Sequence, residues 1–181
     1  AITRANLEVL QASPGIRVVE VVPHVHWVAE EGHASTRAIL KRHPDLKALL
    51  ANNSSLARGA IQALRESDRE GSLYVAGADA DLANCQFVAR GLQGMDVLKE
   101  IEPLARGAAQ VAMALVRGQE PVLQIPQHRV DQDGPVPTLV IPVHPFDRQT
   151  LEEVVVGSGF HPRAAVFSTA SPARRGQPGQ P

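Results

Sequence analysis

The sequence lacks several features that would place it in a specialised class of protein. Its single cysteine, Cys85, excludes an internal disulfide, and aromatic residues make up only 3% of the chain. A formal net charge of -1 gives no sign of the basic surface that nucleic acids attract. No apolar run approaches the roughly 20 residues of a membrane span. With 44% hydrophobic residues in 181 positions, the composition instead predicts one ordinary globular domain.

Recognisable catalytic and nucleotide-binding motifs are also missing. No serine stands in a G-x-S-x-G context, and neither G-x-G-x-x-G nor a P-loop sequence is present. His24, His26 and His33 are close in sequence, but no Cys or acidic partner shows the usual spacing of metal ligands. We therefore predict no enzymatic activity, no metal and no cofactor. Cys85 falls inside a helical pattern and is predicted to be a small core residue.

What the sequence does contain is an alternation of helical and strand patterns. Compact apolar or β-branched runs predict four buried strands, and amphipathic patterns predict helices between them. The predicted strands are 16–22, 46–51, 73–76 and 92–98. Two helices are predicted at about 1–12 and at 34–42, and two more end near residues 64 and 90. Strands joined by helices of this length form right-handed crossovers, so we expect an α/β fold with a parallel sheet.

The pattern changes after Lys99. A longer helix with one apolar face is predicted over 101–117, followed by irregular proline-rich segments, a strand at 139–143 and a short helix at 148–155. From His161 onward Pro, Gly, Ser, Arg and Gln dominate, which predicts a disordered tail over 161–181. The first residues read as a helix already under way, so we expect further residues before Ala1.

Candidate ligand contacts follow the predicted strands, because open parallel sheets bind ligands beyond the carboxyl ends of their strands. Trp27, Asn53, Asp79 and Lys99 follow the four strands in turn. An indole can lie against the C–H face of a pyranose, while amide, carboxylate and ammonium groups hydrogen-bond hydroxyls. Each residue also has an ordinary interpretation: packing under a loop for Trp27, helix capping for Asn53 and for Asp79 or Asp81, and a solvated charge for Lys99.

Four segments resemble those of xylose-binding periplasmic proteins. Residues 51–64 resemble their A-S-N-D-x-x-A-x-G-A-I-Q-A-L, and residues 75–81 resemble V-S-G-Q-D-A-D. Residues 91–99 are similar to G-T-Q-T-M-T-V-Y-K, and residues 154–161 to V-I-x-D-G-F-H. Ser54 stands where that family usually has Asp, Ala78 where it often has Gln, and Glu100 where it has Pro. The resemblance extends from about Ile16 to His161, which is most of the chain.

The resemblance implies one lobe of a type I periplasmic binding protein, a three-layer αβα fold with a parallel sheet, without its partner lobe. Residues 1–98 would be the carboxyl-terminal sugar-binding lobe, 99–145 the hinge crossings and elements of the other lobe, and 146–160 the return. On this resemblance Trp27 stacks on the sugar, Asn53 and Asp79 bind its hydroxyls, and Lys99 contacts it near the hinge. The apolar face of the helix at 101–117 would be exposed, or covered by another chain or by a packing that the family does not have.

The function implied is that of the sugar-binding component of an ABC transporter, outside the cytoplasm in the periplasm or the extracellular space. Its partners would be a monosaccharide, D-xylose or a related sugar, together with the transporter's membrane subunits and the missing amino-terminal lobe. The effector domain of a LacI-type repressor and a two-component sugar sensor share the fold and are alternatives, and a flavodoxin-like enzyme is a third. One lobe alone is expected to bind its sugar weakly.

Overall fold

The computed structural model describes residues 2–121, 126–131 and 134–168. Its contacts divide the chain into two units. The first comprises the residues up to Leu98 together with those from Pro145 onward, and the second comprises Lys99 to His144. Trp27, Asn53 and Asp79 therefore belong to the first unit and Lys99 to the second.

Helices and strands alternate through most of the chain. In order they are α1 (Ile2–Gln11), α2 (Ala29–Arg42), β1 (Ala48–Leu50), α3 (Ser54–Glu66), β2 (Tyr74–Ala76), α4 (Leu82–Ala89), β3 (Met95–Lys99), α5 (Ile101–Val116), β4 (Pro126–Asp131), β5 (Gly134–Leu139), β6 (Val143–Asp147), a π-helix (Glu152–Val156) and α6 (Arg163–Val166). One sheet has the strand order β1-β2-β3-β6, and β4 pairs with β5 in another. The pairs β1–β2 and β2–β3 are parallel, as predicted.

Helix α3 shows how the core of the first unit is built. Its residues Ala57, Ile61 and Leu64 recur at helical spacing, and all are buried in a cluster with Val75 of β2. On its other side α3 approaches α2 so closely that a Cβ at Gly59 would lie 1.9 Å from the carbonyl oxygen of α2's first residue. Only glycine fits at that crossing.

The second core cluster lies around the end of β3 and contains Leu98, Phe146, Val155 and the single cysteine. Cys85 is fully buried there, so the prediction of a small core residue is confirmed. Burial, with a smaller effect from the nearby Asp96 carboxylate, raises the pKa of the Cys85 thiol to about 12.

The first predicted strand is wrong: residues 16–22 are assigned neither helix nor strand. The β-branched composition of this segment matches that of a strand, but a strand forms only where a neighbouring backbone can share its hydrogen bonds. Among the residues that the structure describes, strand β1 pairs only with β2. A cavity lies between β1 and the segment 16–22.

The second unit contains α5 and the β4–β5 pair. Helix α5 was predicted, and its apolar residues Ile101, Leu104 and Leu115 are exposed, which agrees with the expectation for that face. The prediction of irregular structure after α5 is wrong for β4 and β5, which pair antiparallel in register. The strand predicted at 139–143 is also wrong, because β5 ends at Leu139 and β6 begins at Val143.

The predicted disordered tail begins too early. Residues Arg163–Val166 form α6, and Val166 is buried in the second core cluster. This short helix is stable through packing that local composition does not reveal, since a buried apolar side chain offsets the entropy of ordering. Residues 169–181 of the predicted tail lie outside the described residues.

Candidate ligand-binding site

Trp27 lies in the turn that leads into α2. Its backbone is left-handed, with φ of 57°, and its N–H donates to Glu31 Oε2 at 2.9 Å. Partial desolvation would raise the pKa of Glu31, but hydrogen bonds from the N–H groups of His26, Trp27 and Val28 outweigh it and lower that pKa. The turn is thus held by an ionised carboxylate. The indole itself is 38% exposed and stays accessible to a ligand.

Asn53 connects this turn to α3. Its Oδ1 accepts a hydrogen bond from the Leu56 N–H at 2.8 Å, which makes it the N-cap of α3. Its Nδ2 donates to the carbonyl oxygen of Trp27 at 3.1 Å. The capping interpretation is therefore correct, and the same amide also brings Asn53 and Trp27 together. Because an amide can donate two hydrogen bonds and accept two, these contacts do not saturate it.

Asp79 lies in a left-handed turn beyond the end of β2. Asp79 has φ of 106° and Ala80 has φ of 56°. Each left-handed residue costs roughly 1–2 kcal/mol, so the turn needs compensating contacts. The Asp79 N–H donates to the Val97 carbonyl at 2.9 Å, and the Ala80 N–H donates to Asp96 Oδ1 at 3.0 Å. Asp81, and not Asp79, occupies the N-cap position of α4, without a capping side-chain hydrogen bond.

A buried polar network of Ser54, Asn84, Gln93 and Asp96 supports this turn. Besides Ala80, Asp96 accepts hydrogen bonds from Gln93 Nε2 at 2.7 Å and from Ser54 Oγ at 3.3 Å. Burial raises the pKa of Asp96, and the hydrogen bonds it accepts partly oppose that effect. Asn84 Nδ2 donates to Gln93 Oε1 at 2.9 Å and to the Ser54 carbonyl at 3.0 Å.

The polar network joins the two loops that carry predicted site residues. Ser54 follows Asn53 at the start of α3, and its Oγ also accepts a hydrogen bond from the Asp81 N–H at 3.2 Å. Asp96 Oδ1 in turn accepts a hydrogen bond from the N–H of Ala80, the residue that follows Asp79. Asn53 and Asp79 are therefore fixed beyond the carboxyl ends of adjacent strands, β1 and β2.

Sequence reasoning missed Asp96, although a signal was present. Along β3, Asp96 and Leu98 are two residues apart and both are buried, so they share the inner face of the sheet. A carboxylate on a core-facing position of a strand must be hydrogen-bonded. Asp96 also stands where the similar family segment has Thr, while Ser54 stands where that family has Asp. The structure places these two exchanged residues in contact.

His161 was assigned to a tail but belongs to this region. Its Nε2 lies 2.9 Å from the Ala80 carbonyl oxygen, close enough to donate to it. Its ring packs edge-on against Phe160, with 4.7 Å between ring centroids. The left-handed turn is thus held on its N–H side by Asp96 and on its carbonyl side by His161.

Lys99 ends β3 and begins the second unit. It is the last residue of that strand and so lies at its carboxyl end. Its approach to the other three residues stays a prediction.

Two of the three histidines near Trp27 have hydrogen-bonding partners for their side chains. His24 Nε2 lies 3.0 Å from Ser35 Oγ, and His33 Nε2 lies 2.8 Å from Glu66 Oε2. Over residues 2–121, 126–131 and 134–168, no group of three or more His, Cys, Asp or Glu side chains is placed to hold a metal ion. In the same ranges no helix is both long enough and apolar enough to cross a membrane.

A family model described as a periplasmic binding protein domain matches residues 2–120. The chain is 34% identical over 136 residues to the D-xylose-binding periplasmic protein of Escherichia coli K12, covering 75% of this chain and 41% of that protein. It is 39% identical over 119 residues to the D-ribose/D-allose-binding protein of Pseudomonas aeruginosa, covering 64% and 34% respectively. The chain thus spans less than half the length of these relatives.

Among solved structures, an ABC transporter solute-binding protein from Clostridium phytofermentans with bound β-D-glucose superposes with a TM-score of 0.72 at 24% identity. The match covers 88% of this chain and 53% of that one. At this level of identity the likeness concerns the fold. The predicted fold class, a lobe of the periplasmic binding protein type, is confirmed.

Proposed function

Because the chain belongs to the family of periplasmic binding protein domains, we propose that it supplies one face of a monosaccharide site in the solute-binding component of an ABC transporter. Such a component acts in the periplasm or outside the cell. The proposed contacts are Trp27, Asn53, Asp79 and Lys99. Binding of this kind needs only hydrogen-bonding groups already in place and a surface for stacking, so no catalytic group is required.

One observation carries the proposal: Asn53 Nδ2 donates to the Trp27 carbonyl oxygen. This bond connects the backbone of the residue that carries the exposed indole to an amide that can still form further hydrogen bonds, beyond the end of β1. The polar network fixes the turn of Asp79 at the end of β2. An apolar plate beside an amide and a carboxylate suits a pyranose, which has apolar faces and hydroxyl edges.

D-xylose is the ligand we propose first, and D-ribose and D-allose are the competitors. The relatives named for these sugars are above 30% identical to this chain. Both are named as binding proteins, which favours this function over a repressor, a sensor or a flavodoxin-like enzyme. The segments around Asn53, Asp79 and Lys99 also resemble those of xylose-binding proteins.

The experiment is a calorimetric titration of the chain with each of the three sugars, with Trp27 fluorescence as a second signal. Trp27 is the only tryptophan, so any change in emission reports on the proposed site. A dissociation constant of about 1 mM corresponds to only about 4 kcal/mol of binding free energy, and we expect affinity no better than this because one face contributes the contacts. Micromolar binding would contradict that incomplete site.

A matched pair of variants tests whether the indole is the contact. Trp27→Ala should abolish the calorimetric signal, whereas Phe167→Ala should leave it unchanged. Phe167 is a fair control because it is 39% exposed, almost the same as Trp27, and follows α6. Equal binding by both variants would disprove the proposed site, whatever sugar is bound.

A further inference from the structure

The backbone of Trp27 has a conformation that aromatic residues rarely adopt. Its φ of 57° lies in the left-handed region, where the side chain of any residue other than glycine crowds the neighbouring backbone. The direction of a side chain follows from the backbone dihedral angles, so this φ also sets where the indole points. A relaxation to negative φ would turn the indole away from its present direction. The turn therefore needs contacts that hold Trp27 in place.

The N–H side of this turn is held by one carboxylate, that of Glu31. The Trp27 N–H donates to Glu31 Oε2 at 2.9 Å, and the His26 N–H donates to the same oxygen at 3.2 Å. In the described part of the chain these two N–H groups have no acceptor outside Glu31. Hydrogen bonds to an ionised acceptor are about twice as strong as those between neutral groups, so a single side chain can offset the left-handed conformation.

The carbonyl side of Trp27 is held from a different helix. Asn53 Nδ2 donates to the Trp27 carbonyl oxygen at 3.1 Å, and Asn53 is itself fixed as the N-cap of α3. Glu31 belongs to the first turn of α2, which packs closely on α3 at Gly59. The peptide groups on both sides of Trp27 are thus attached to two helices that pack against each other.

The position of Glu31 in α2 shows that its carboxylate serves the turn as well as the helix end. The N-cap of α2 is Val28, which has no capping side-chain hydrogen bond. A glutamate at the third helical position ordinarily reaches back to the N–H of the N-cap residue in a capping box. The Glu31 carboxylate reaches beyond the N-cap, to Trp27 and His26. Glu30, beside it in the same helical turn, is exposed and has no such hydrogen bond among the described residues.

We propose that Glu31 is a positioning residue of the ligand site, whose carboxylate fixes the Trp27 turn and thereby the direction in which the indole is presented. A ligand that stacks on the indole binds more tightly when the ring is already in place, because ordering it on binding costs entropy. The inference rests on the proposed function for the stacking role of the indole. The hold of Glu31 on the indole does not depend on any sugar.

The first test measures Trp27 without sugar, by acrylamide quenching of its fluorescence. Trp27 is the only tryptophan, so the signal comes from this turn alone. Glu31→Leu removes both acceptor oxygens, and the quenching constant should rise from that of a half-buried indole toward that of free N-acetyltryptophanamide. Glu31→Gln keeps one acceptor oxygen without the charge, so its quenching constant should fall between those of the original chain and Glu31→Leu.

Glu30→Leu is the matched control. It removes the same carboxylate from the same helical turn, and so alters the interaction with the helix dipole in the same way. Its quenching constant should equal that of the original chain. Equal constants for Glu30→Leu and Glu31→Leu would overturn the proposal. Circular dichroism identifies a variant that has unfolded; if Glu31→Leu does so, the comparison of Glu31→Gln with Glu30→Gln decides in its place.

The second test separates this inference from the proposed function, by calorimetric titration with D-xylose, D-ribose and D-allose. Glu31→Leu should lose the binding signal that Glu30→Leu retains. Undiminished binding by Glu31→Leu would overturn the inference while the proposed sugar site still stood. If the original chain binds none of the three sugars, the proposed function fails, and the quenching comparison alone decides whether Glu31 positions the indole.

Discussion

The two sides of β1 differ sharply. On the side of β2 the ladder is complete, and the polar network beyond it is buried and hydrogen-bonded. On the side of the segment 16–22, a cavity with a largely apolar lining borders β1. The segment 16–22 is the more β-branched of the two neighbours, with one isoleucine and four valines against one valine in β2. The difference shows that apolar sequence creates a potential strand, while the neighbouring backbone decides whether the strand forms.

The largest effect on stability is expected from a second acidic group in the polar network, on the side of β1 that pairs with β2. Ser54→Asp would bring a carboxylate against Asp96, which Ser54 Oγ now approaches at 3.3 Å. An uncompensated buried charge costs about 3–5 kcal/mol, and we expect the free energy of unfolding to fall by that amount. Urea denaturation measures it.

The control for this prediction is a double variant that exchanges the residue types at the two positions. Combining Ser54→Asp with Asp96→Thr restores one carboxylate and one hydroxyl, the arrangement of the similar family segments. The double variant should recover most of the lost stability, as a strongly coupled pair does in a double-mutant cycle. Asp96→Thr alone completes the cycle, and a loss in the double variant equal to the sum of the two single losses would show that the two positions are not coupled.

Substitution of two valines compares the two sides of β1 directly, one in β2 and one in the segment 16–22. Val75 of β2 is 0% exposed and Val21 is 51% exposed. Val75→Ala should lower the free energy of unfolding by about 2 kcal/mol, from lost burial and the cavity left behind. Val21→Ala should change it by less than about 0.5 kcal/mol. Equal losses in urea melts would mean that the segment 16–22 is packed as tightly as β2.

The ionisation of Asp96 should make the free energy of unfolding depend on pH. Burial raises the pKa of Asp96 in the folded protein. Between the unfolded and folded pKa values the folded state binds more protons, so this contribution is complete below the unfolded pKa and is lost as pH rises through the folded pKa. Asp96→Asn removes it, and costs about 1 kcal/mol from imperfect hydrogen bonding.

Stability measured across the acidic range checks this prediction. The stability difference between the original chain and Asp96→Asn should shrink as pH increases. Exposed carboxylates such as Asp147, whose pKa is lowered by the hydrogen bonds of its own turn, have the opposite sign but cancel in the difference. A difference that grew with pH would mean that Asp96 is stabilised as the carboxylate.

The smallest effect concerns Cys85. Because burial raises the pKa of this thiol to about 12, almost no thiolate exists at neutral pH in the folded chain. A disulfide reagent should therefore react only as fast as the surrounding cluster opens, and its rate should rise in step with urea unfolding. Fast reaction without denaturant would show that this cluster opens independently.

Much of the fold could be predicted because local signals and tertiary contacts agree. The Asn53 cap, the apolar spacing in α3 and the helix α5 were all identified from sequence. Proline misled the prediction at β4 and β5, where Pro126, Pro135 and Pro137 suggested irregular structure. A two-stranded sheet consists of edge strands, on which proline is tolerated.

The candidate site was predictable only in part, for a different physical reason. Trp27, Asn53 and Asp79 could be selected because they follow strand patterns. Asp96 and His161 act through the backbone of Ala80, and such support depends on residues distant in sequence. Local pattern therefore predicts the residues at the ends of strands better than the distant side chains that hold their turns in place.

The bond between Asn53 and Trp27 has a consequence for how this lobe could evolve. Asn53 Nδ2 donates to a main-chain carbonyl, which every amino acid has, while its Oδ1 caps α3. The side chain at position 27 can therefore change without loss of this hydrogen bond. A change at position 53 would remove both the bond to the loop and the helix cap. We therefore expect substitutions to be tolerated more readily at position 27 than at position 53.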